Sequence, residues 1–115
     1  MQKKYNVELL DEVYDFYDSI ENKAVEKILY NIDKAQSSND KELFTKLSNE
    51  IWEFRTLYRK IKYRVLGFWD KTNNNNTLVL ATHGFIKKTN KTPKKEIEKA
   101  QRIRKQYFDI KNKKQ

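Results

Sequence analysis

The spacing of apolar residues changes once along this chain, near residue 51, and this change restricts the fold more than any other feature. Before it, apolar side chains recur every three or four residues in the ranges 10–20 and 25–32, which predicts two helices forming a hairpin. After it, the runs 51–58, 61–69 and 77–85 are rich in aromatic and β-branched residues, which predicts three strands. The chain is therefore predicted to be α+β, with helices and sheet in separate parts of the sequence.

Shorter features refine the predicted sheet. The tight joint Arg59–Lys60 predicts a hairpin between the first two strands, so the three strands are expected to be sequential antiparallel neighbours. The polar run 73–76 predicts a loop before the third strand. Residues 5–9 alternate weakly and predict a further short strand, whereas the segment 43–47 predicts one or two turns of helix. We therefore expect an antiparallel sheet of three to four strands.

The last predicted element is a C-terminal helix. Thr92 is expected to cap it and Pro93 to occupy its first position, and an apolar stripe follows from Ile97 to Phe108. Together with the N-terminal helical hairpin and the sheet, this helix completes a single predicted domain over residues 1–115, a length that suits one hydrophobic core.

Charge is distributed unevenly along the chain. Residues 1–50 carry 7 Lys or Arg and 11 Asp or Glu, whereas residues 51–115 carry 18 and 5. The first half therefore has a balance of −4 and the second a balance of +13, within a net charge of +9. We interpret the basic half as a surface for a polyanion. The alternative is a generic basic surface on a protein rich in lysine and asparagine.

Several classes of site are excluded by what the composition lacks. The chain has no cysteine, so it forms no disulfide and no thiolate metal site. Its two glycines are too few for a glycine-rich phosphate loop. The N-terminal residues lack the apolar run of a signal peptide, and no stretch is long enough to span a bilayer. We expect a cytoplasmic protein with no metal, no cofactor and no membrane partner.

Strand alternation predicts which side chains share a face of the sheet. The aromatic side chains of the first strand are expected to face the helices, which places Glu53 and Arg55 on the opposite face. If the registers align, Arg64 of the second strand and His83 of the third line that same open face. The alternation of the third strand also groups His83 with Thr77, Val79, Ala81 and Phe85.

The open face of the predicted sheet carries four side chains that suit the cleavage of a phosphodiester, which are Glu53, Arg55, Arg64 and His83. Two arginines can clamp a phosphate and stabilise the extra charge of its transition state, and a carboxylate or an imidazole can move protons. RNA supplies its own nucleophile, the 2′-hydroxyl. The alternatives are a salt-bridged Glu53–Arg55 pair on a solvated strand, a hydrogen-bonded core or turn role for His83, and a surface charge at Arg64.

The segment 83–95 is rich in lysine and leads into a helix N-terminus, which favours anions. We expect its lysines to hold an RNA backbone and Phe85 to stack on a base. The alternative is a solvated, lysine-rich loop. The predicted RNA-binding residues, including one from the second strand, are Lys62, Phe85, Lys88, Lys91, Lys94 and Lys95.

The second half of the chain contains four residue strings in a fixed order. They are Ile51-Trp52-Glu53-Phe54-Arg55, Tyr63-Arg64-Val65-Leu66, His83-Gly84-Phe85-Ile86-Lys87-Lys88-Thr89, and Lys91-Thr92-Pro93 followed by Glu96, Ile97 and Ala100. In this order they resemble the RelE/HigB toxins, and the phage-derived HigB-like branch in particular. The resemblance runs from about Ile51 to Tyr107.

The resemblance implies a RelE-like fold and a type II toxin that cleaves messenger RNA on the ribosome without a metal. It also implies a cognate antitoxin with a helix-turn-helix DNA-binding domain, so that operator DNA is reached only through the antitoxin. Two alternatives stay open. One is a toxin of the ParE type, which inhibits gyrase without cutting RNA, and the other is a nucleic-acid-binding protein without activity.

The resemblance also implies roles for individual residues. By motif position, Arg55 and Arg64 look like the family's phosphate-stabilising residues, and Glu53 and His83 like its proton-transfer groups. Tyr107 is a candidate for the C-terminal tyrosine that some relatives use, or a core residue. The predicted catalytic group is Glu53, Arg55, Arg64, His83 and Lys87.

Overall fold

A computed structural model describes residues 2–72 and 77–113 of the chain, so the predicted loop 73–76 lies outside the described residues. The prediction of an α+β fold is confirmed. The first element is a strand, however, so the two helices follow it instead of opening the chain. In chain order the elements are β1 (Asn6–Leu9), α1 (Asp11–Asp18), α2 (Asn22–Gln36), β2 (Phe44–Ser48), β3 (Ile51–Tyr58), β4 (Ile61–Asp70), β5 (Leu78–Lys87) and α3 (Lys94–Lys113).

The strands of the described residues form one five-stranded sheet in the order β1-β5-β4-β3-β2. The three strands predicted from aromatic and β-branched runs are confirmed as β3, β4 and β5, and they pair as sequential antiparallel neighbours. The weakly predicted strand is confirmed as β1, which pairs in parallel with β5. The expectation of three to four antiparallel strands is therefore wrong, because β1 and β2 extend the sheet at its two edges and β1 makes it mixed.

The segment predicted to form helical turns, residues 43–47, forms the edge strand β2 instead. Its apolar residues fit a helix by spacing, but they find their partners on β3. The Phe44 ring stacks on Phe54 at 4.3 Å and on Trp52 at 4.9 Å between centroids. Cross-strand aromatic pairs of this kind stabilise a sheet more than local spacing stabilises two turns of helix.

The sheet separates two hydrophobic clusters. On one face, Phe54 and Val79 pack with residues of α1 and α2 such as Val13 and Ile28. The close approach of α1 uses Gly84, where an added Cβ would lie 2.3 Å from the Phe16 ring. On the other face, α3 covers a cluster that contains Ile51, Leu66, Phe68, Leu80, Phe85 and Ala100.

An irregularity in β5 decides which face its polar residues reach. Leu66 pairs with His83, whereas the next residue of β4 pairs with Ala81, so Thr82 is an extra residue at a β-bulge. The predicted grouping of His83 and Phe85 with Val79 and Ala81 is therefore wrong. Val79 and Ala81 face α1 and α2, while His83 and Phe85, beyond the bulge, lie on the α3 side.

Candidate active site

Glu53, in the middle of β3, is the centre of a buried charged cluster. Its side chain is 4% exposed. The Nε of Arg64 lies 3.5 Å from one carboxylate oxygen, and the Nε of Arg55 lies 3.9 Å from the other. Arg55 and Arg64 are direct cross-strand partners, so the predicted placement of these three residues on one face is confirmed. We call Glu53, Arg55, Arg64 and Lys87 the arginine cluster.

Arg64 is held in an unusual environment for a cation. It is 4% exposed, and one terminal nitrogen donates a hydrogen bond to the Tyr63 carbonyl at 3.0 Å. Its Nε has no hydrogen-bond partner among the described residues. Burial lowers the pKa of Arg64, and the Glu53 carboxylate opposes that shift, but a guanidinium stays protonated at neutral pH. Arg64 is therefore a desolvated cation with an unused donor.

Lys87, at the end of β5, is the fourth member of the arginine cluster. It pairs directly with Lys62 across the strands, although like charges in such positions repel. Burial lowers the pKa of Lys87, and the charge of Arg64 lowers it further. Lys87 therefore gives up a proton more readily than an ordinary surface lysine, which suits a group that protonates a leaving oxygen.

A narrow groove opens next to these residues. Its volume is about 180 Å³, and its lining includes Arg55, Lys62, Arg64 and the carboxylate residue Glu42. Arg55 keeps about a third of its side chain exposed, whereas only 5% of the Arg64 side chain is exposed. A phosphate that enters this groove meets one accessible guanidinium and one that is already desolvated, an arrangement in which each interaction is stronger than in water.

Thr92 completes the arginine cluster in a way that the sequence did not indicate. Its hydroxyl donates a hydrogen bond to a Glu53 carboxylate oxygen at 2.5 Å, across 39 residues of chain. The predicted role of Thr92 as the cap of the last helix is therefore wrong, because its side chain is engaged by Glu53. The helix α3 begins at Lys94, and the Pro93 carbonyl accepts the first amide hydrogen bonds.

His83 lies on the predicted face but is occupied by other partners. Its Nδ1 is 3.0 Å from the Thr82 hydroxyl and its Nε2 is 3.1 Å from a carboxylate oxygen of Glu96 on α3. Burial lowers the pKa of His83, and the hydrogen bond with Glu96 opposes that shift. This placement favours a role in holding the start of α3 against the sheet over a role in proton transfer.

The predicted RNA-binding residues fall into two groups. Phe85 is 9% exposed and belongs to the core under α3, which favours packing over stacking on a base. The five lysines are all exposed and lie on segments that adjoin residues of the arginine cluster or Thr92, and we call them the lysine rim. They are Lys62 on β4, Lys88 and Lys91 in the segment after β5, and Lys94 and Lys95 at the start of α3.

Tyr107 lies towards the C-terminal end of α3, where it takes part in a second polar group. Its hydroxyl donates to the Asp70 carboxylate at 2.6 Å, and its ring packs against Phe68 at 5.4 Å. Burial raises the pKa of Tyr107, and the bond to Asp70 raises it further. The structure therefore places Tyr107 in a packing and anchoring role.

Among the described helices, none is both long and apolar enough to cross a bilayer.

Comparison with known protein families gives a match over most of the chain. Residues 15–105 match the family described as "Phage derived protein Gp49-like (DUF891)". A search of curated proteins and a search of solved structures each found no match. The matched segment runs from α1 into α3 and includes the whole arginine cluster and its lysine rim. The chain therefore belongs to the Gp49-like family, a phage-derived, toxin-like family.

Proposed function

We propose that this chain is the toxin of a type II toxin–antitoxin pair, with a RelE-like fold, and that it cuts messenger RNA on the ribosome in the cytoplasm. The observation that carries the proposal is the pair of cross-strand arginines held by the buried Glu53 at the edge of an open groove. A structural ion pair needs only one arginine. Two arginines at one carboxylate leave positive charge for an anion.

The proposed reaction uses the substrate's own nucleophile. The 2′-hydroxyl gives its proton to solvent as its oxygen attacks the adjacent phosphorus, and the bond from phosphorus to the 5′-oxygen breaks. The products are a 2′,3′-cyclic phosphate and a 5′-hydroxyl. The non-bridging oxygens of the phosphate gain negative charge in the transition state, which Arg55 and Arg64 stabilise from positions fixed before the substrate arrives. Lys87, with its lowered pKa, protonates the leaving 5′-oxygen.

Glu53 is assigned a positioning role in this proposal. One of its oxygens accepts the Thr92 hydroxyl and lies near Arg64, and the other lies near Arg55. With 3% of its surface exposed, it has little access to a substrate hydroxyl. Its charge fixes the positions of both guanidinium groups. Motion of these groups away from the phosphate would lower the cleavage rate, and Glu53 limits that motion.

The proposed partners follow from the charge of the surface. The lysine rim suits the RNA-lined decoding site of the ribosome, since a basic surface is steered towards phosphates over distances of about a Debye length. Neutralisation requires a cognate antitoxin, for which we propose a protein with a helix-turn-helix DNA-binding domain. Operator DNA is then contacted through the antitoxin.

Inducible expression in a bacterial host tests the proposed function. We expect growth to stop within a few generations, new 5′ ends to appear within messenger RNAs, and chromosomal DNA to remain unbroken. Primer extension and pulsed-field electrophoresis on the same culture report the two outcomes. DNA breaks without new RNA ends would contradict the proposal and support inhibition of gyrase. Absence of toxicity at confirmed expression would support a non-catalytic nucleic-acid-binding protein.

Replacing Thr92 tests the positioning of Glu53. Thr92→Val keeps the shape but removes the hydroxyl, so Glu53 loses the donor that fixes one of its oxygens. We expect the cleavage rate at saturating RNA to fall about tenfold, which corresponds to about 1.4 kcal/mol, with little change in KM. Thr92→Ser keeps the donor and is expected to restore the rate. Equal rates for both variants would show that the hydroxyl is not needed.

A further inference from the structure

A second concavity opens where β4 begins and β5 ends. It has a volume of about 420 Å³. We call it the hairpin pocket, because it adjoins the turn between β3 and β4. The residues that define it are Lys60, Ile61, Lys62, Ile86, Lys87 and Lys88.

The hairpin pocket combines exposed apolar side chains with cations. Ile61 is 40% exposed and Ile86 is 38% exposed. They lie on the same face of the sheet, because Tyr63 is the cross-strand partner of Ile86 and Ile61 precedes it by two residues. Lys60 and Lys88 share the lining with them, and so do Lys62 and Lys87, which alternate with the isoleucines and start from the opposite face of the sheet. A flat apolar group that carries negative charge fits such a lining, and a nucleotide is a group of this kind.

The turn beside the pocket keeps a lysine in a conformation that lysine disfavours. Arg59 and Lys60 have φ values of 51° and 66°, in the left-handed region where glycine and asparagine are preferred. Arg59 is anchored by its ion pair with Glu21 at 3.5 Å and by the Tyr58 ring. Lys60 instead lines the pocket. The chain therefore retains a charge at the pocket where a turn-forming residue would be more stable.

The hairpin pocket is continuous with the arginine cluster. Lys62 lines both the pocket and the narrow groove, and Lys87 belongs to both the pocket and the cluster. A chain of phosphates that passes from one to the other would run round the end of β4 and β5 over these two lysines.

We propose that the hairpin pocket is a nucleotide subsite for single-stranded RNA. The base lies on Ile61 and Ile86, Lys60 and Lys88 hold its flanking phosphates, and the next phosphate passes over Lys62 and Lys87 into the arginine cluster. This inference deepens the proposed function and rests on it for the identity of the substrate. It adds a site that holds a base, which the arginine cluster alone does not provide.

Binding to an oligonucleotide that cannot be cut isolates this subsite from cleavage. The first probe is a fluorescent 2′-O-methyl RNA hexamer, which has no free 2′-hydroxyl. The second probe, used for comparison, is the same hexamer with every base removed, and we call it the abasic hexamer. Anisotropy titrations over a series of salt concentrations give the affinity and its salt dependence. The apolar floor is tested with Ile61→Thr and Ile86→Thr, which keep a β-branched side chain, and the cation with Lys60→Asn.

The two kinds of variant are expected to act differently. Each isoleucine variant is expected to bind the base-bearing hexamer about fivefold more weakly, a fraction of the gain from stacking one base, and to bind the abasic hexamer like the wild type. Lys60→Asn is expected to bind both hexamers more weakly than the wild type does. It is expected to reduce the slope of log affinity against log salt by about 0.7, the value for one phosphate contact on a single strand.

Two controls separate these effects from damage to the fold. The melting temperature of Lys60→Asn is expected to be no lower than that of the wild type, because asparagine adopts the left-handed conformation more readily than lysine. Lys23→Gln, an exposed lysine on α2, is expected to leave affinity and salt slope unchanged.

Equal affinity of the wild type and both isoleucine variants for the base-bearing hexamer would overturn the subsite. An unchanged salt slope in Lys60→Asn would do the same. Equal affinity of the wild type for the base-bearing and the abasic hexamer, together with tighter binding of a glutamate-rich peptide of equal charge, would also overturn the subsite. That result would indicate an acidic protein segment as the occupant of the pocket. Failure of the proposed function has a different signature: the wild type cuts no messenger RNA, while the hexamer still binds in a base-dependent way.

Discussion

Replacing Arg64 by alanine is expected to abolish growth inhibition and to lower the rate of RNA cleavage by a factor of about 10² to 10³, the loss found when one preorganised donor to a transition state is removed. The reason lies in its placement. Arg64 is desolvated, paired with Glu53 and part of the lining of the groove. The measurement is cleavage of messenger RNA together with colony formation after induction.

Stability controls make this result interpretable. Arg64→Ala removes one partner of the buried Glu53, so the free energy of unfolding is expected to fall by about 2 kcal/mol, while Thr92 and Arg55 still serve the carboxylate. Arg64→Lys keeps the charge but not the planar fork of donors, and is expected to cleave poorly at nearly normal stability. Arg102→Ala, on the exposed side of α3, is the matched control. A fully toxic Arg64→Ala protein would contradict the assignment of this residue.

Replacing Asp70 by alanine is expected to give the largest loss of stability among these variants. Asp70 is 3% exposed and accepts hydrogen bonds from Tyr107 at 2.6 Å, from Lys111 at 2.5 Å and from Thr72. It ties the C-terminal half of α3 to the sheet. Its removal is expected to cost about 3 kcal/mol, as for other broken buried ion pairs, and to lower the melting temperature by about 10 °C. Asp109→Asn, whose carboxylate pairs with Lys105 on the surface, is expected to cost less than about 0.5 kcal/mol.

The contribution of Asp70 to the free energy of unfolding also depends on pH. Burial alone would raise the pKa of Asp70, but the hydrogen bonds from Lys111, Thr72 and Tyr107 outweigh burial and hold the pKa well below its usual range. The contribution is therefore complete above the unfolded value of about 3.9 and is lost as the pH falls below it towards the folded value. Thermal unfolding of the wild type and Asp70→Ala at several pH values should show the difference between them shrinking below pH about 4. A constant difference would contradict this role.

Much of the fold could be predicted from residue spacing, because long periodic segments leave few alternatives. The two N-terminal helices and the strands β3, β4 and β5 belong to this group. The edge strand β2 was missed, since its apolar residues follow helical spacing and only the aromatic rings of β3 give them partners. The bulge at Thr82 was also missed, because a single extra residue leaves no mark on composition and yet reverses the faces that follow it.

The candidate site was predictable to the extent that it depends on neighbouring strands. Alternation brought Glu53 and Arg55 to one face, and the tight Arg59–Lys60 joint brought Arg64 beside them. The contact between Thr92 and Glu53 joins residues 39 apart and follows from how α3 meets the sheet, which spacing does not encode. His83 lies on the α3 side of the sheet only because of the bulge at Thr82, and its partner Glu96 lies on α3.

The most direct test of the central claim uses purified protein and ribosomes programmed with a defined messenger RNA. We expect the wild type to cut the message, leaving a 2′,3′-cyclic phosphate and a 5′-hydroxyl. We expect both Arg64→Ala and a single 2′-deoxy substitution at the cut position to abolish that cut. A cut that survives the 2′-deoxy substitution, or a message that stays intact with a protein that still stops growth, would contradict cleavage by the arginine cluster.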